Sequence, residues 1–405
     1  MAVFMKEKSK ILLFVLIFLF TIFSSFLIFS TAVKYNSDKS LSLLAAQFIK
    51  GHISMEPTKE LPLGDISIYG GKFYLYFGMF PSFILMPFVA FFGKNFPQGI
   101  LGIGSMAASF AAIFSISRSF KFKQIDALWL SLFFVFSTVL FSSSLINITA
   151  YQVEVLGVPL ILFSLAEYFS KKRPLLIGLF LGLAVLTRFT LILAVVFFII
   201  EFLKKRLSRK QFILILIPLI FSCLFLGFYN YLRFHSFIET GYNYIMPISY
   251  PLSRNLDYGA ISLMHIPANL YSFLIMPPDP VLYFSKGFVL RFPYLKANPW
   301  GMAIWFTSPL FLMLLFRLRK NKYTMPSLIT AIFLAVPIFL YFSVGFAQFG
   351  YRYALDFLPF LFLLLLPSLL PNLSKTAIVL ISIGVIFNCI YITSLWGVYP
   401  HFGIY

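Results

Sequence analysis

Long apolar runs separated by short basic turns make up most of this 405-residue chain. Several runs hold about 20 apolar residues, the length that an α-helix needs to cross the hydrocarbon core of a membrane. Basic turns of this kind usually stay on the cytoplasmic side of such helices. The pattern predicts an all-α polytopic membrane protein.

The first apolar run follows the basic segment KEKSK at residues 6–10 and extends to Phe29. A signal peptide is the alternative interpretation, because "STA" at 30–32 is an acceptable cleavage site. The apolar core of a signal peptide usually spans about 7–15 residues, and this run is longer. We therefore interpret it as a retained helix with its amino terminus in the cytoplasm.

The basic turns also predict how the later runs pair. If every basic turn is cytoplasmic, the spans between two turns come as one outward and one inward crossing. With the first helix, 99–117, both halves of 174–203 and a last helix after Lys375, this makes eleven crossings and an outer carboxy terminus. The remaining predicted pairs are 125–146 with 148–169, 211–230 with 300–316, and 325–344 with 353–372.

Two apolar stretches do not fit this alternation and are rich in proline. The stretch 75–93 contains Pro81 and Pro87, and 270–284 contains three prolines. Proline disrupts a helix interior, so we expect both stretches to lie on the outer membrane surface instead of crossing. They belong to two long outer loops, roughly 34–98 and 231–299. Loops of that length are usually functional.

An arginine interrupts the apolar run 174–203. Arg188 lies near its middle, where a lipid-facing charge costs about 2.5–3.5 kcal/mol. Basic clusters flank both ends of the run, so both ends should lie on one side. Two short helices with an outer turn near Thr187 and Arg188 satisfy this, and Arg188 then faces a polar cavity. The alternative is one long helix with Arg188 reaching towards the interface.

Composition supports the membrane class and excludes others. Hydrophobic residues make up 60% of the chain and charged residues only 11%, whereas soluble domains are nearer half and a quarter. The net charge of +19 resides in the turns, which argues against a nucleic-acid partner. Cys223 and Cys389 both lie in apolar runs, and the four histidines lack the paired spacing of a zinc site.

Acidic residues collect on the predicted outer side, together with several basic ones. Carboxylates at an outer cavity suit proton abstraction or metal binding, and arginine suits phosphate. Arg352 and Asp356 are four residues apart, so we expect them to share a helix face and pair, either structurally or in a site. The outer acids are Asp38, Glu56, Glu60, Asp65, Glu154, Glu239, Asp257, Asp279 and Asp356, and the outer basic residues are Lys72, Arg188, Arg233, Arg254, Arg291 and Arg352.

Tyrosines cluster in "FYNYLRFHSFIETGYNY" at 228–244, which includes Tyr242. An aromatic belt at the membrane interface is one explanation. A surface on which a sugar ring stacks is the other.

Several segments, in this order, resemble the C-type glycosyltransferase (GT-C) superfamily, in particular bacterial relatives of protein O-mannosyltransferases and aminoarabinose transferases. They are "KYNSDKSLSLLAAQFIKGH", "DISIYGGKFYLYFGMFPSFILMPF", "GLFLGLAVLTRFT", "YNYLRFHSFIETGYNY", "WFTSPLFLMLLF" and "FGYRYALDFLPFL". The resemblance implies a transmembrane domain in the cell membrane. Most relatives add a soluble carboxy-terminal domain, whereas we expect a single transmembrane domain over residues 1–405 here. The resemblance also implies that a sugar moves from a polyprenyl-phosphate carrier to a lipid, glycan or protein acceptor on the non-cytoplasmic face.

The resemblance implies roles for particular residues. Asp38 matches the family's acidic residue in the first outer loop and would take the proton of the acceptor hydroxyl; Asp65 is the second catalytic candidate. The family often has two adjacent acids there, but Ser37 and Lys39 flank Asp38, so a divalent cation is an open option and no metal ligands are assigned. The substrate-binding candidates are Lys72, Glu154, Arg188, Arg233, Glu239, Tyr242 and Arg352.

Two other classes of function fit the same features. A transporter or flippase of a lipid-linked sugar would use the outer charges for recognition, although the internal repeats of many transporters are missing. A non-catalytic membrane scaffold is the third class.

Overall fold

The computed structural model describes residues 7–35, 38–57, 65–245, 253–283 and 287–395. Most of these residues are helical, as the apolar runs predict. The helices are α1 Glu7–Tyr35, α2 Ser40–Ile49, α3 Phe80–Phe92, α4 Ile100–Ser119, α5 Gln124–Phe136, α6 Val139–Leu145, α7 Thr149–Phe169, α8 Pro174–Val185, α9 Val195–Leu203, α10 Arg209–Phe234, α11 Ile266–Leu274, α12 Ile304–Thr307, α13 Leu312–Arg317, α14 Thr324–Phe339, α15 Leu358–Leu369 and α16 Lys375–Tyr391.

Two short antiparallel hairpins accompany the helices of the predicted all-α frame. Strands β1 Ile66–Tyr69 and β2 Lys72–Leu75 pair with each other, as do β3 Asp279–Leu282 and β4 Leu290–Lys296. The first hairpin turns at Gly70 and Gly71, whose φ angles of +56° and +73° fit a two-residue hairpin turn. The glycine pair was therefore a hairpin signal that the apolar pattern concealed.

Within the described ranges, five helices are long and apolar enough to cross a membrane. They are Glu7–Phe26 of α1, then α4, α7 and α10, and Lys375–Ser394, which includes α16. The pair α5 and α6 makes a sixth if it is counted as one span, although it bends by 54°. These helices are those of a helical membrane protein, and eleven crossings stay a prediction.

The run 300–316, predicted as one crossing, does not form a continuous helix. It contains α12, a 3-10 turn at Pro309–Phe311 and α13, which has six residues. Pro309 has no amide proton to donate and restricts Ser308 before it, so the helix breaks there. The prolines of 75–93 act differently from the prediction, because Pro81 lies in the first turn of α3 and α3 continues through Pro87.

Helix α7 is the central element of the bundle. Its membrane-span window is 94% buried, whereas that of α10 is 28% buried. Its neighbours include α4 and α8. Because α7 is enclosed along its length, its polar side chains can meet only other protein groups or a bound ligand.

The run 174–203 breaks where Arg188 lies, as predicted. Helix α8 ends at Val185, and a 3-10 segment at Phe189–Ala194 leads into α9. Tyr168, near the carboxyl end of α7, donates a hydrogen bond from its hydroxyl to Glu201 of α9. Only four residues separate the end of α7 from the start of α8. Both ends of the run therefore lie at the same end of α7, which excludes a single long helix.

The turn that carries Arg188 also contacts the first long loop. The Phe80 amide donates to the Leu186 carbonyl at 3.2 Å. A Cβ atom on Gly78 would lie 2.0 Å from the same oxygen, so only glycine permits this approach. The loop that contains the first hairpin is thereby packed against the Arg188 turn.

Candidate functional site

Four buried charged side chains form one cluster, which we call the charged cluster: Glu154, Arg188, Arg352 and Asp356. Arg188 Nη1 lies 3.3 Å from both Glu154 Oε1 and Asp356 Oδ1. Arg352 Nε lies 3.4 Å from Glu154 Oε2. The four side chains are 17% exposed or less. Two positive and two negative charges therefore balance inside the bundle, as burial of charge requires.

The sequence suggested that Arg352 pairs with Asp356, and the local backbone geometry explains why it does not. Both residues lie in a 3-10 helix, in which residues three apart share a face and residues four apart do not. Asp356 instead accepts a hydrogen bond from Thr190 Oγ1 at 2.9 Å, two residues beyond Arg188. The cluster thus joins α7, the broken run and the segment before α15.

The charged cluster is incompletely hydrogen-bonded. Arg188 Nη1, Arg352 Nε and Glu154 Oε2 are buried, yet their contacts do not have hydrogen-bond geometry. Buried polar groups in native proteins usually have such a partner, and an exception calls for a functional explanation. Oxygen atoms of a bound ligand would give the two arginine donors the partners that the protein does not provide.

Tyrosine rings connect this cluster to the first hairpin. The Arg352 guanidinium lies 4.2 Å from the Tyr151 ring centre and 5.0 Å from that of Tyr353. From Tyr353, ring contacts lead to Tyr341 at 6.1 Å, then to Tyr242 at 6.5 Å and to Tyr76 at 4.7 Å. Tyr242 is still 48% exposed, so solvent reaches this wall. These rings meet edge to face or at a tilt, and aromatic rings that carry hydroxyl groups suit a sugar.

Asp38 lies where α2 and α7 begin. Its Oδ1 accepts hydrogen bonds from the Ser40 amide at 2.9 Å and the Ser40 hydroxyl at 2.8 Å. Its Oδ2 accepts one from the Thr149 amide at 2.6 Å, in the first turn of α7. A carboxylate is stabilised there by unpaired amides and by the helix dipole. Asp38 therefore ties two helix starts together.

Asp65 immediately precedes β1 and has a different environment. Its Oδ1 accepts one hydrogen bond, from the Tyr76 hydroxyl at 3.0 Å. Protein surrounds the side chain, while part of the residue's surface still reaches solvent. Loss of hydration, with the nearby negative charge of Asp38, raises the pKa of Asp65 to about 7. Asp65 thus lies within the electrostatic range of Asp38.

The other predicted substrate-binding residues lie outside the charged cluster. Lys72 begins β2 and is exposed at the hairpin turn. Glu239 accepts hydrogen bonds from the Gly241 amide at 2.6 Å and the Asn243 side chain at 2.7 Å, which shapes the loop before Tyr242.

Arg233 is buried, and its two terminal nitrogens donate to protein groups, whereas its Nε has no hydrogen-bond partner among the described residues. Its guanidinium donates to the Leu75 carbonyl and to Asn230 Oδ1, and it lies 4.1 Å from the Tyr229 ring centre. No ion pair involves Arg233 in the described part of the chain. These contacts fix β2 to α10, which is a structural arrangement.

The side chains that could hold a metal are dispersed. Among the described residues, no three His, Cys, Asp or Glu side chains lie together as ligands of one ion. The divalent cation that was left open from the sequence therefore stays untested, because the described residues contain no such ligand set.

Sequence reasoning missed Tyr76, Tyr353 and Thr190, which contact charged site residues. Tyr76 directly follows β2 and lies two residues after Tyr74, so a strand assignment there was the available signal. Thr190 lies two residues after Arg188, so the predicted break in the run 174–203 was the signal for it. The fold and site define a helical membrane protein with a buried charged cluster beside a row of tyrosine rings. No family model, curated protein or solved structure matches this chain.

Proposed function

We propose that this protein is a glycosyltransferase that moves a sugar from a polyprenyl-phosphate carrier to an acceptor on the non-cytoplasmic face of the cell membrane. The observation that carries the proposal is the incompletely hydrogen-bonded charged cluster beside a row of tyrosine rings, which Asp65 joins through Tyr76. Phosphate needs buried guanidinium donors, a sugar needs aromatic and polar walls, and the acceptor hydroxyl needs a carboxylate.

In the proposed reaction, the acceptor oxygen bonds to the anomeric carbon while the bond from that carbon to the phosphate oxygen breaks. The electron pair leaves with the carrier phosphate. Arg188 and Arg352 stabilise the charge that develops on this phosphate, because their unpaired donors already lie in a water-poor site. The carboxylates of Glu154 and Asp356 keep the arginines in place before the carrier binds.

Purified protein should be incubated with radiolabelled polyprenyl-phosphate sugars of several sugar classes and a membrane extract as acceptor source. We expect one donor to lose its label to an acceptor, and Arg188→Ala to abolish the transfer. Arg173→Ala is the matched control, because Arg173 is a half-exposed arginine at the opposite end of α7.

The transporter alternative has its own readout in the same preparation. Proteoliposomes loaded with labelled lipid-linked sugar would report its movement between leaflets. Movement without transfer from any donor would contradict the proposal and favour a transporter.

A further inference from the structure

Two carboxylates, Asp38 and Asp65, lie close enough for the charge of Asp38 to affect Asp65. The proposed reaction needs one of them to take the proton of the acceptor hydroxyl. Their environments differ in how many lone pairs the protein already occupies. That difference separates a positioning residue from a reactive one.

Both oxygens of Asp38 are in use. Three donors from Ser40 and Thr149 lie 2.6–2.9 Å from them. These donors occupy lone pairs that would otherwise be open to a substrate hydroxyl. Moving Asp38 towards a substrate would also leave the starts of α2 and α7 without their acceptor.

Asp65 has the opposite character. Its only hydrogen bond among the described residues is the one from Tyr76, so Oδ2 remains open. The Tyr76 ring contacts the Tyr242 ring at a tilt, and this row of tyrosines continues to Tyr353 beside Arg352. The open oxygen of Asp65 thus adjoins the surface on which a sugar would lie.

We propose that Asp65 accepts the proton of the acceptor hydroxyl, in an acceptor subsite walled by Tyr76 and Tyr242, and that Asp38 positions the loop. This inference rests on the proposed function. The hydroxyl oxygen bonds to the anomeric carbon, its proton moves to Asp65, and the phosphate leaves with the electron pair. The subsite fits a hydroxyl of a glycan or glycolipid, because tyrosine faces stack on sugar rings.

The charged groups around Asp65 set its titration. Burial and the negative charges of Asp38 and Glu154 raise its pKa, whereas Arg352 and the Tyr76 hydroxyl lower it, with a result of about 7. A base acts in its ionised form, so turnover should rise with pH through about 7 and then level off. A pKa near the working pH is what general base catalysis favours.

Three variants test the assignment through the pH dependence of turnover with the donor found above. Asp65→Asn should lower turnover by about 10²–10⁴-fold and remove the rise near pH 7. Tyr76→Phe should move the rise to higher pH, because the hydrogen bond that favours the ionised form is lost. Asp38→Asn should keep the rise and move it to lower pH, because a negative neighbour is gone.

The opposite pattern would overturn the assignment. If Asp38→Asn removed the rise and Asp65→Asn kept it with near-normal turnover, Asp38 would be the proton acceptor. A rise that neither variant moves would also overturn it.

Thermal stability separates this inference from the proposed function. An acid with a raised pKa in the folded state costs stability as pH rises between its unfolded value, about 3.9, and about 7. The melting temperature of Asp65→Asn minus that of wild type should therefore increase from pH 4 to pH 8. A constant difference would overturn the titration of Asp65 whatever the substrate is. A growing difference without transfer from any donor would overturn the proposed function, and the proton-accepting role with it.

Discussion

The two ends of α7 both bury charge, but they satisfy it differently. At the carboxyl end, Arg173 makes a two-pronged contact with Glu167 at 2.7 and 2.9 Å, and Arg206 donates to Glu201 at 2.6 Å. At the other end, the contacts of the charged cluster are 3.3–3.4 Å and lack hydrogen-bond geometry. Short, aligned pairs stabilise a fold, whereas loosely held arginines remain able to bind an anion.

A third buried pair belongs with the aligned ones. Lys10 of α1 lies 2.8 Å from Asp126 of α5 and also donates to the Leu373 carbonyl before α16. It therefore joins the ends of three helices, all of which carry basic residues predicted to be cytoplasmic. We expect the aligned pairs to be structural and the charged cluster to be functional.

The largest effect should appear in thiol accessibility, which tests whether the two ends of α7 face opposite sides of the membrane. After Cys223→Ser and Cys389→Ser, a single Thr240→Cys should react with a membrane-impermeant thiol reagent in intact cells. Ser208→Cys should react only after the membrane is permeabilised, because Ser208 begins α10 beside the basic turn. Labelling of Ser208→Cys in sealed cells would contradict the orientation.

The next effect concerns catalysis at the charged cluster. Arg352→Ala should lower turnover by about 10²–10³-fold, because one preorganised donor to the developing phosphate charge is lost. Arg352→Lys should recover part of it, because lysine keeps the charge but not the planar fork. Initial rates with the labelled donor measure this. Equal turnover of Arg352→Ala and wild type would contradict a role at the phosphate.

A smaller effect concerns stability at the aligned pairs. Lys10→Ala leaves Asp126 buried without its partner, which should cost about 3–5 kcal/mol. The melting temperature in detergent should fall while the folded protein keeps its turnover. The double variant Lys10→Leu, Asp126→Leu should recover most of the loss, because no unpaired charge remains. A Lys10→Ala protein that melts normally but transfers no sugar would reverse the comparison.

The smallest effect is expected at the surface. Glu56 pairs with Lys50 at 3.5 Å, and both side chains are more than half exposed. Hydrogen bonds and the Lys50 charge lower the pKa of Glu56, but solvent screens such a pair. Glu56→Gln should leave melting temperature and turnover unchanged between pH 5 and 8. A clear loss of turnover would place Glu56 in the site.

Much of the helical frame and part of the site could be predicted from the sequence. The charge rule predicted the break at Arg188 because basic clusters at both ends of an apolar run require a reversal. It also assigned Arg188 and Glu154 to the same outer side, and the structure brings the two side chains to 3.3 Å. Both inferences depend on charged side chains within apolar runs, where the high free energy of an unpaired charge leaves few possible arrangements of the helices.

The rest depended on contacts between distant segments. The 3-10 geometry of 352–356 decides which carboxylate each arginine meets, and apolar periodicity does not distinguish it from an α-helix. The hydrogen bond that the Thr149 amide donates to Asp38 joins residues 111 positions apart. The fragments at 300–316 follow from Pro309, which composition alone does not separate from a proline tolerated within a helix, such as Pro218 of α10.

Binding of the carrier by matched arginine variants tests the central claim most directly. Wild type, Arg188→Ala and Arg173→Ala should be titrated with a short-chain polyprenyl phosphate, with melting temperature measured in parallel. The account predicts that Arg173→Ala binds like wild type, whereas Arg188→Ala binds at least about ten-fold more weakly, since a charge-assisted contact is worth about 1.5–3 kcal/mol. Equal affinity of all three proteins would show that the charged cluster does not hold the carrier phosphate.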